Sequence, residues 1–508
     1  MHLINIQQTF HLTNHSGLCV ALLFPHPHPF SSISQRRQRR PHHLITTPPP
    51  DETPKPINQP EPKTMEVKLL ETSTIFPSHP PFDHDHVLPF SYLDNDRNMH
   101  VTFRTLRAYP NPNPSSPPSF DPVHVISQAL SKALIHYYPL AGTIQRRPTD
   151  QRLELLCSAG QGVPVIRASA SCSLSAANYL DDPGSHFLEQ LVPNPTGGEE
   201  LLHPLIVQIT VFACGGFSLG LCIHHSMCDG LGSTQFMNAV AEFARGAKEA
   251  SVEPVWDRAA LLGPRDPPRV EMGLLDDCLG LDKGFCAYGK VDYRIVRECF
   301  HVRDDCLDRF KGRLCEESGL SFTAFEALGA FIWRARVKAS DVPGEEKVKF
   351  VYSTNIRRQV KPPLPLGYWG NGCVPIYVQM SARELVDRPV WETAEMIKKS
   401  KRNITDEYVR SFIDFQELHY AEGITAGKGV SGFTDWRHLG HSGVDFGWGG
   451  PVTVLPLSWN LLGSIEPCFF LPYSSANEGK KDGFKVLVSL PEAAMPAFRK
   501  DMEEEFST

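Results

Sequence analysis

Residues 225–230 read His225-Ser226-Met227-Cys228-Asp229-Gly230, and this stretch joins two different hydrophobic patterns. From residue 217 to the histidine, apolar residues alternate with small or polar ones, which predicts a strand ending at His225. After Gly230, apolar residues recur every three or four positions, which predicts a helix with Ser233 as its N-cap. A histidine between a strand and a glycine-bearing turn is well placed to present a base to a cleft.

The His-x-x-x-Asp spacing by itself also admits a purely structural interpretation. A histidine on an apolar strand face is more often a buried core residue than a catalyst, and so short a pattern occurs by chance in many chains. A second motif lies far downstream, where residues 445–449 read Asp-Phe-Gly-Trp-Gly. The two motifs together favour a functional role for His225.

In this order and at about this separation, the two motifs resemble those of the BAHD acyltransferases, plant acyl-CoA-dependent enzymes of specialised metabolism. Four further segments extend the resemblance from Met65 to the C-terminus. They are YPLAG at residues 138–142, FEAL and IWR at 325–328 and 332–334, GYWGN at 367–371, and TDW at 434–436. Within this family, the sequence is most similar to the branch that acylates taxane-type diterpenols, polyamines and alcohols.

The resemblance implies an α/β fold of the chloramphenicol acetyltransferase type. Such a fold has two domains, each a mixed β-sheet flanked by helices, with an active-site channel between them that CoA and acceptor enter from opposite faces. The implied reaction moves an acetyl, benzoyl or hydroxycinnamoyl group from CoA to a hydroxyl or amine of a terpenol, polyamine or alcohol. Acyl-CoA is then a co-substrate, with no permanently bound cofactor.

Acyl transfer from a thioester needs a base for the acceptor and donors for the oxyanion of the intermediate. We predict His225 as the general base, in a direct transfer without an acyl-enzyme. The match to the family's TSW tripeptide makes the Trp436 indole N–H a candidate oxyanion donor, with Thr434 lining the same pocket. A core tryptophan and an ordinary strand threonine remain the alternative, and Asp435 replaces the usual serine.

Asp229 has two possible roles. It could orient the imidazole, as the aspartate of a hydrolase triad does. In the relatives it resembles, this aspartate turns away from the histidine and pairs with an arginine, and the resemblance favours that structural role without identifying the arginine. Structural roles are also expected for Gly230 and for Asp445, Gly447 and Gly449, since the glycines suit a tight backbone turn.

Composition excludes several other classes of function. A formal charge of -7 gives no electrostatic reason to bind nucleic acid, and no apolar run reaches the roughly 20 residues of a membrane span. Thirteen cysteines without a C-x-x-C pair indicate reduced thiols in a cytoplasmic protein and no metal site. Cys228 as a thiol nucleophile is disfavoured because nothing marks it as a low-pKa thiolate. We expect a monomer whose partners are acyl-CoA and a small-molecule acceptor.

Patterns along the chain divide it into four segments. Residues 1–64 are poor in acidic residues and end Pro-rich, which predicts a disordered extension; it is either a transit peptide or precedes a true start at Met65. Residues 65–250 form the predicted N-terminal acyltransferase domain, 251–285 the interdomain connection, and 286–508 the C-terminal domain.

Three local patterns predict particular elements within these domains. Residues 205–212 and 217–225 predict a β-hairpin around Gly215-Gly216. Asp121 and Pro122 predict the N-cap and first residue of a helix, and Thr323 with Glu326 predicts a capping box at the start of another.

The sequence leaves two other functional hypotheses open. The stretch HHSMCDG at residues 224–230 also satisfies the signature of peptide-synthetase condensation domains. A catalytically silent relative that binds acyl-CoA or a metabolite would keep the same fold. Shikimate- and quinate-using relatives carry an arginine about thirteen residues before the TSW threonine. Ala421 stands there in this chain, which disfavours such acceptors.

Overall fold

The computed structural model of the protein describes residues 65–112, 120–476 and 482–506. The predicted disordered extension, residues 1–64, lies outside these ranges. In the described part of the chain, two mixed six-stranded sheets carry most of the strands. The predicted α/β class with two helix-flanked mixed sheets is confirmed.

The first sheet presents His225 at the end of a fully buried strand. Its strands are, in spatial order, β1 (Val67–Ile75), β6 (Val163–Ala170), β7 (Leu205–Phe212), β8 (Phe217–His224), β3 (Thr102–Tyr109) and β15 (Thr453–Pro456). Only β6 and β7 are parallel neighbours. The alternation that predicts a β7–β8 hairpin is correct, and Gly215 in its turn has the positive φ that favours glycine. Strand β8 ends at His224, one residue before the predicted end.

The second sheet supplies the opposite wall of the site. Its strands are, in spatial order, β10 (Ile295–Val302), β17 (Phe484–Pro491), β16 (Cys468–Leu471), β14 (Val430–Asp435), β11 (Lys347–Asn355) and β12 (Cys373–Ser381). Strand β14 runs parallel to both of its neighbours, and the other pairs are antiparallel. Two small sheets contain β2 (His86–Pro89), β4 (Thr143–Arg146) and β5 (Leu153–Cys157), and β9 (Gly280–Leu281) with β13 (Ile424–Thr425).

Helices cover both sheets, and none of those in the described ranges is long and apolar enough to cross a bilayer. They are α1 (Pro122–His136), α2 (Glu199–Leu202), α3 (Gly230–Ala244), α4 (Arg258–Leu261), α5 (Gly273–Cys278), α6 (Asp304–Ser318), α7 (Ala324–Ala339), α8 (Ala382–Asp387), α9 (Val390–Ser400), α10 (Asp406–His419) and α11 (Met495–Phe506). Helix α1 begins as its sequence predicts, with Asp121 as N-cap and Pro122 in the first turn. The predicted Thr323–Glu326 capping box opens α7.

The start of α3 differs from the prediction. Ser233 is not the N-cap; the helix already begins at Gly230, and the Asp229 carboxylate accepts from the backbone N–H of Gly232 at 2.9 Å. An aspartate satisfies a free helix N–H and also interacts favourably with the positive end of the helix dipole. The helix therefore starts at the motif itself.

The downstream part of the chain contributes to the core of the first sheet as well as the second. Strand β15 pairs with β3, and Phe446, which is 2% exposed, packs edge-to-face on Tyr109. Trp448 stacks on Phe120 with 3.8 Å between ring centroids. The predicted C-terminal domain, residues 286–508, thus joins both sheets.

The DFGWG segment forms a closed loop around its own aspartate. Oδ1 of Asp445 accepts from the backbone N–H groups of Gly447, Trp448 and Gly449, at 2.7, 3.0 and 2.9 Å. Gly447 and Gly449 have φ of 105° and 93°, a region in which side-chain-bearing residues are strained. The loop places Phe446 and Trp448 against the hydrophobic core of the first sheet.

We expect Phe446→Ala to lower the free energy of unfolding by about 3–5 kcal/mol, because it leaves a cavity where a buried ring joins two parts of the chain. Chemical denaturation measures this, with Leu366→Ala, at an 87% exposed position, as a control within about 0.5 kcal/mol of the parent. Activity per folded molecule should stay normal. A stable but inactive Phe446→Ala protein would contradict a structural role for the segment.

Candidate active site

A cavity of about 430 Å³ lies between the two sheets and gathers most of the predicted site residues. Strands β3 and β8 line it on one side, and β11 and β14 on the other. The predicted residues in its wall are His225, Asp229, Gly230, Thr434 and Trp436. Asp445, Gly447 and Gly449 are not among the lining residues. The structure therefore separates the two diagnostic motifs in space, one at the cavity and one in a partly exposed loop of which only Phe446 is buried.

His225 directly follows β8 and is held by its backbone. Its N–H donates to the carbonyl of Val101, and its carbonyl accepts from Nδ2 of Asn371, both at 2.8 Å. The ring packs edge-to-face on Phe103, with 5.5 Å between centroids. Nδ1 is enclosed and has no hydrogen-bond partner among the described residues, so Nε2 is the nitrogen available to a substrate.

Burial lowers the pKa of His225 below its ordinary value, and the nearby charges of Asp229 and Asp94 do not offset it. The imidazole is therefore neutral near pH 7, which is the form that can accept a proton. Cys228, in the same wall, is in the opposite situation, since burial raises the pKa of its thiol and disfavours the thiolate. Of these two groups, only the histidine is in its reactive form.

Asp229 is paired with an arginine and makes no hydrogen bond to His225. Arg357, two residues after β11, donates from Nη1 and Nη2 to the two carboxylate oxygens at 2.8 and 3.0 Å. The backbone N–H of Gly372 donates to the same carboxylate at 3.0 Å. Burial alone would raise the pKa of Asp229, but Arg357 and these hydrogen bonds outweigh it, so the pKa lies below its usual value. The carboxylate stays ionised.

The arginine partner needs a glycine beside it. A Cβ on Gly372 would lie 2.5 Å from Nη1 of Arg357, too close for any other residue without a shift. The pair connects the N-terminus of α3, packed on the first sheet, with the β11–β12 connection of the second. Sequence reasoning missed Arg357 because 128 residues separate it from Asp229 and no local pattern marks it.

A second buried network, which the sequence did not predict, holds the backbone around His225 in place. Asp94 is fully buried and accepts from the backbone N–H and Nδ2 of Asn371 at 2.8 and 2.9 Å. Arg258 lies 3.5 Å from Asp94 and donates to the carbonyl of Met227 at 3.0 Å. These buried groups do not line the cavity, but they hold the backbone of residues 225–227 in place.

Trp369, in the GYWGN segment, is bound to the first turn of α3. Nε1 of Trp369 donates to the carbonyl of Gly232 at 2.8 Å, inside the first turn of α3. A phenylalanine would fill the space but could not make this bond. Trp369 and Asn371 thus hold the two sides of the motif, α3 and His225.

Thr434 and Trp436 lie at the end of β14, across the cavity from β8. The Trp436 ring lies 5.6 Å from Phe103 and 5.0 Å from His441. Asp435, which replaces the usual serine, is bound by Arg437, whose Nη2 donates to Oδ2 at 2.6 Å. The charge of Asp435 is therefore compensated within the wall.

Comparison with known proteins shows the family of the chain. The model of the Transferase family matches residues 65–505. The chain belongs to the BAHD transferase family. Spermidine coumaroyl-CoA acyltransferase of Arabidopsis thaliana is 33% identical over 441 residues, 83% of this chain and 93% of the relative. Taxadien-5-alpha-ol O-acetyltransferase of Taxus cuspidata is 32% identical over 444 residues, 86% of this chain and 97% of the relative.

Solved structures of lower identity show the same fold. Vinorine synthase has a TM-score of 0.65 at 22% identity, over 87% of this BAHD chain and 98% of its own. TRI101 of F. graminearum, complexed with coenzyme A and deoxynivalenol, has a TM-score of 0.66 at 15% identity, over 82% and 98% of the two chains. The protein is an acyltransferase of the class that transfers groups other than aminoacyl groups.

We expect Asp229→Asn to destabilise the fold by about 3–5 kcal/mol, because it leaves the Arg357 charge buried without its partner. Arg357→Gln should cost a similar amount. The double variant should be more stable than the sum of the single effects predicts, with a coupling of about 0.5–3 kcal/mol. Urea denaturation of the four proteins measures this cycle. An Asp229→Asn variant of unchanged stability and strongly reduced turnover would indicate a charge relay instead.

Proposed function

We propose that the protein transfers an acyl group from acyl-CoA directly to a hydroxyl of a small-molecule acceptor, with His225 as general base. The observation that carries this proposal is the position of the His225 imidazole, held by its backbone at a cavity between two sheets, where burial lowers its pKa. Membership of the BAHD family supports the reaction class. The predicted cytoplasmic location and monomeric state remain predictions.

The proposed mechanism has two steps. Nε2 of His225 takes the hydroxyl proton as the acceptor oxygen bonds to the thioester carbonyl carbon, forming a tetrahedral oxyanion. The oxyanion accepts a hydrogen bond from the indole N–H of Trp436, with Thr434 beside it. The carbon–sulfur bond then breaks, and the imidazolium returns its proton to the leaving thiolate. No protein atom is acylated, in keeping with the protonated state of Cys228.

A hydroxyl acceptor fits the cavity better than a polyamine. The carboxylates that line the cavity are Asp229 and Asp435, and arginines compensate both. Lys401, which also lines it, is paired with Glu326. Within the described residues, the wall therefore offers no unpaired carboxylate to a cationic amine. Among the family's acceptors, this favours alcohols and terpenols over polyamines.

The donor is proposed to enter through a second, wider cleft of about 960 Å³. This cleft shares Leu231 and Asn355 with the cavity, so the two adjoin at the N-terminal turn of α3. Arg245 and Arg358 line it, and Arg358 is exposed. Its size and its cationic groups suit the nucleotide and phosphates of CoA.

We expect His225→Ala to reduce kcat by about 10²–10⁴-fold without unfolding the protein, because the acceptor then loses its base. Thiol release from acetyl-, benzoyl- and coumaroyl-CoA with a terpenol, spermidine, benzyl alcohol and shikimate measures it. His224→Gln is the matched control, because His224 does not line the cavity, and it should stay within a few-fold of the parent. A near-normal rate in His225→Ala would refute the mechanism.

The same assay separates the other two hypotheses. A silent binder would bind CoA without acceptor-dependent thiol release from any pair, and a condensation domain would require carrier-bound donors. Turnover of free acyl-CoA by the parent protein excludes both.

We expect Arg358→Glu to raise the KM for acyl-CoA by about fivefold or more at low salt, since it reverses an exposed charge beside the proposed phosphate path. The KM for the acceptor should not change, and the effect should shrink as salt screens the charge. Lys290→Glu, exposed and outside the cleft, is the control. An equal effect of both variants would contradict this entry route.

A further inference from the structure

Arg107 is a fully buried arginine on β3 that has no acidic partner among the described residues. Nη1 lies 3.1 Å from Oγ1 of Thr105, and Nη2 lies 3.4 Å from Nδ1 of His441. Nε has no partner in the described part of the chain. A buried charge without a counter-charge is costly, and such charges are retained where something pairs with them.

The chemistry of arginine fixes the direction of both contacts. A guanidinium carries only donors, so Oγ1 of Thr105 and Nδ1 of His441 must act as acceptors. The Thr234 hydroxyl lies 2.7 Å from the same Nδ1 and 3.0 Å from the carbonyl of Gly230. A proton on Nδ1 would face the N–H groups of Arg107, so Nδ1 accepts and the Thr234 O–H donates to it over the shorter distance. Thr105 then keeps its own O–H free to donate, and a neutral His441 carries its proton on Nε2.

Both of these free donors belong to residues of the cavity wall. His441 is only 5% exposed, and its Nε2 is buried without a partner among the described residues. Burial and the Arg107 charge lower the pKa of His441 to about 3, so the ring stays neutral over the physiological range. The wall therefore contains two hydrogen-bond donors that lie beside the positive charge of Arg107 and have no acceptor among the described residues.

This pair lies away from the proposed base. The His225 N–H donates to the carbonyl of Val101, and Thr105 lies four residues further along the chain, in β3, a distance of about 13 Å. The His441 ring contacts Trp436, with 5.0 Å between centroids. A group bound beside Thr105 therefore belongs to a part of the substrate distant from the proposed base.

We infer that Thr105 and His441, polarised by Arg107, bind a carboxylate at the end of the acceptor remote from the acylated hydroxyl. The inference rests on the proposed function and narrows it to hydroxy acids. The acceptor carboxylate supplies the counter-charge that Arg107 lacks, and charge-assisted hydrogen bonds in a buried site are strong. A cationic end at the same place would be repelled.

The test compares ω-hydroxy acids of graded chain length with their methyl esters and with n-alkanols of equal length. In the parent protein, the best hydroxy acid should have a KM about tenfold or more below that of its ester. His441→Phe should abolish this difference, which is measured as the ratio of the acid and ester KM values within each variant. His441→Gln should retain most of it, because the amide oxygen can accept from Arg107 while its NH₂ donates to the ligand.

Thermal shift in the absence of acyl-CoA reads binding without chemistry. The hydroxy acid should raise the Tm of the parent and of His441→Gln, but not of His441→Phe or the isosteric Thr105→Val. This measurement does not depend on catalysis, so it tests carboxylate binding even if His225→Ala keeps its activity. Failure of the proposed mechanism and failure of the proposed carboxylate site can therefore be told apart. Equal affinity for acid and ester in the parent protein would overturn the inference. So would preference for a carboxylate on the acyl group, read with succinyl-CoA and a neutral alkanol.

Discussion

The buried ion pair between Asp229 and Arg357 fixes the first sheet to the second at the point where His225 is presented. Asp229 caps α3 and accepts two bonds from Arg357, which follows β11. Breaking such a pair on one side leaves a buried charge and costs several kcal/mol, whereas a pair intact on both sides holds a defined geometry. The cavity exists between the sheets, so its shape and the position of the base both depend on this contact.

The charged groups in and around the cavity differ in whether they have an oppositely charged partner. Its carboxylates are compensated by arginines, while Arg107 has no acidic partner among the described residues. Burial keeps His225 and His441 neutral, but their roles differ. The hydrogen bonds of His225 are made by its backbone and its ring packs on Phe103, whereas Nδ1 of His441 lies 3.4 Å from Nη2 of Arg107. In the proposed function, this arrangement favours an uncharged hydroxyl acceptor that carries a carboxylate over a polyamine.

Local sequence patterns predicted the local structure well. The β7–β8 hairpin, the Asp121 and Pro122 start of α1 and the Thr323–Glu326 capping box each depend on residues a few positions apart. The Ser233 cap was wrong because Asp229, which the resemblance suggested would pair with an arginine, also caps the helix. Arg357, the Asp94 network and the pairing of β15 with β3 depend on residues more than a hundred positions apart, and no periodicity encodes such contacts. The contact between Arg107 and His441 joins residues 334 positions apart, so it too depends on the fold and could not be predicted from a local pattern.

His225 is proposed to act as a neutral base held by its backbone, while Asp229 is bound to Arg357. An NMR titration of ring-labelled histidine, with His225→Gln assigning the signal, tests both parts of this proposal. We expect a pKa for His225 below the ordinary value of about 6.5 and no Nδ1 proton in a strong hydrogen bond to a carboxylate. A pKa above that value, together with a hydrogen-bonded Nδ1 proton that disappears in Asp229→Asn, would contradict it and indicate a relay.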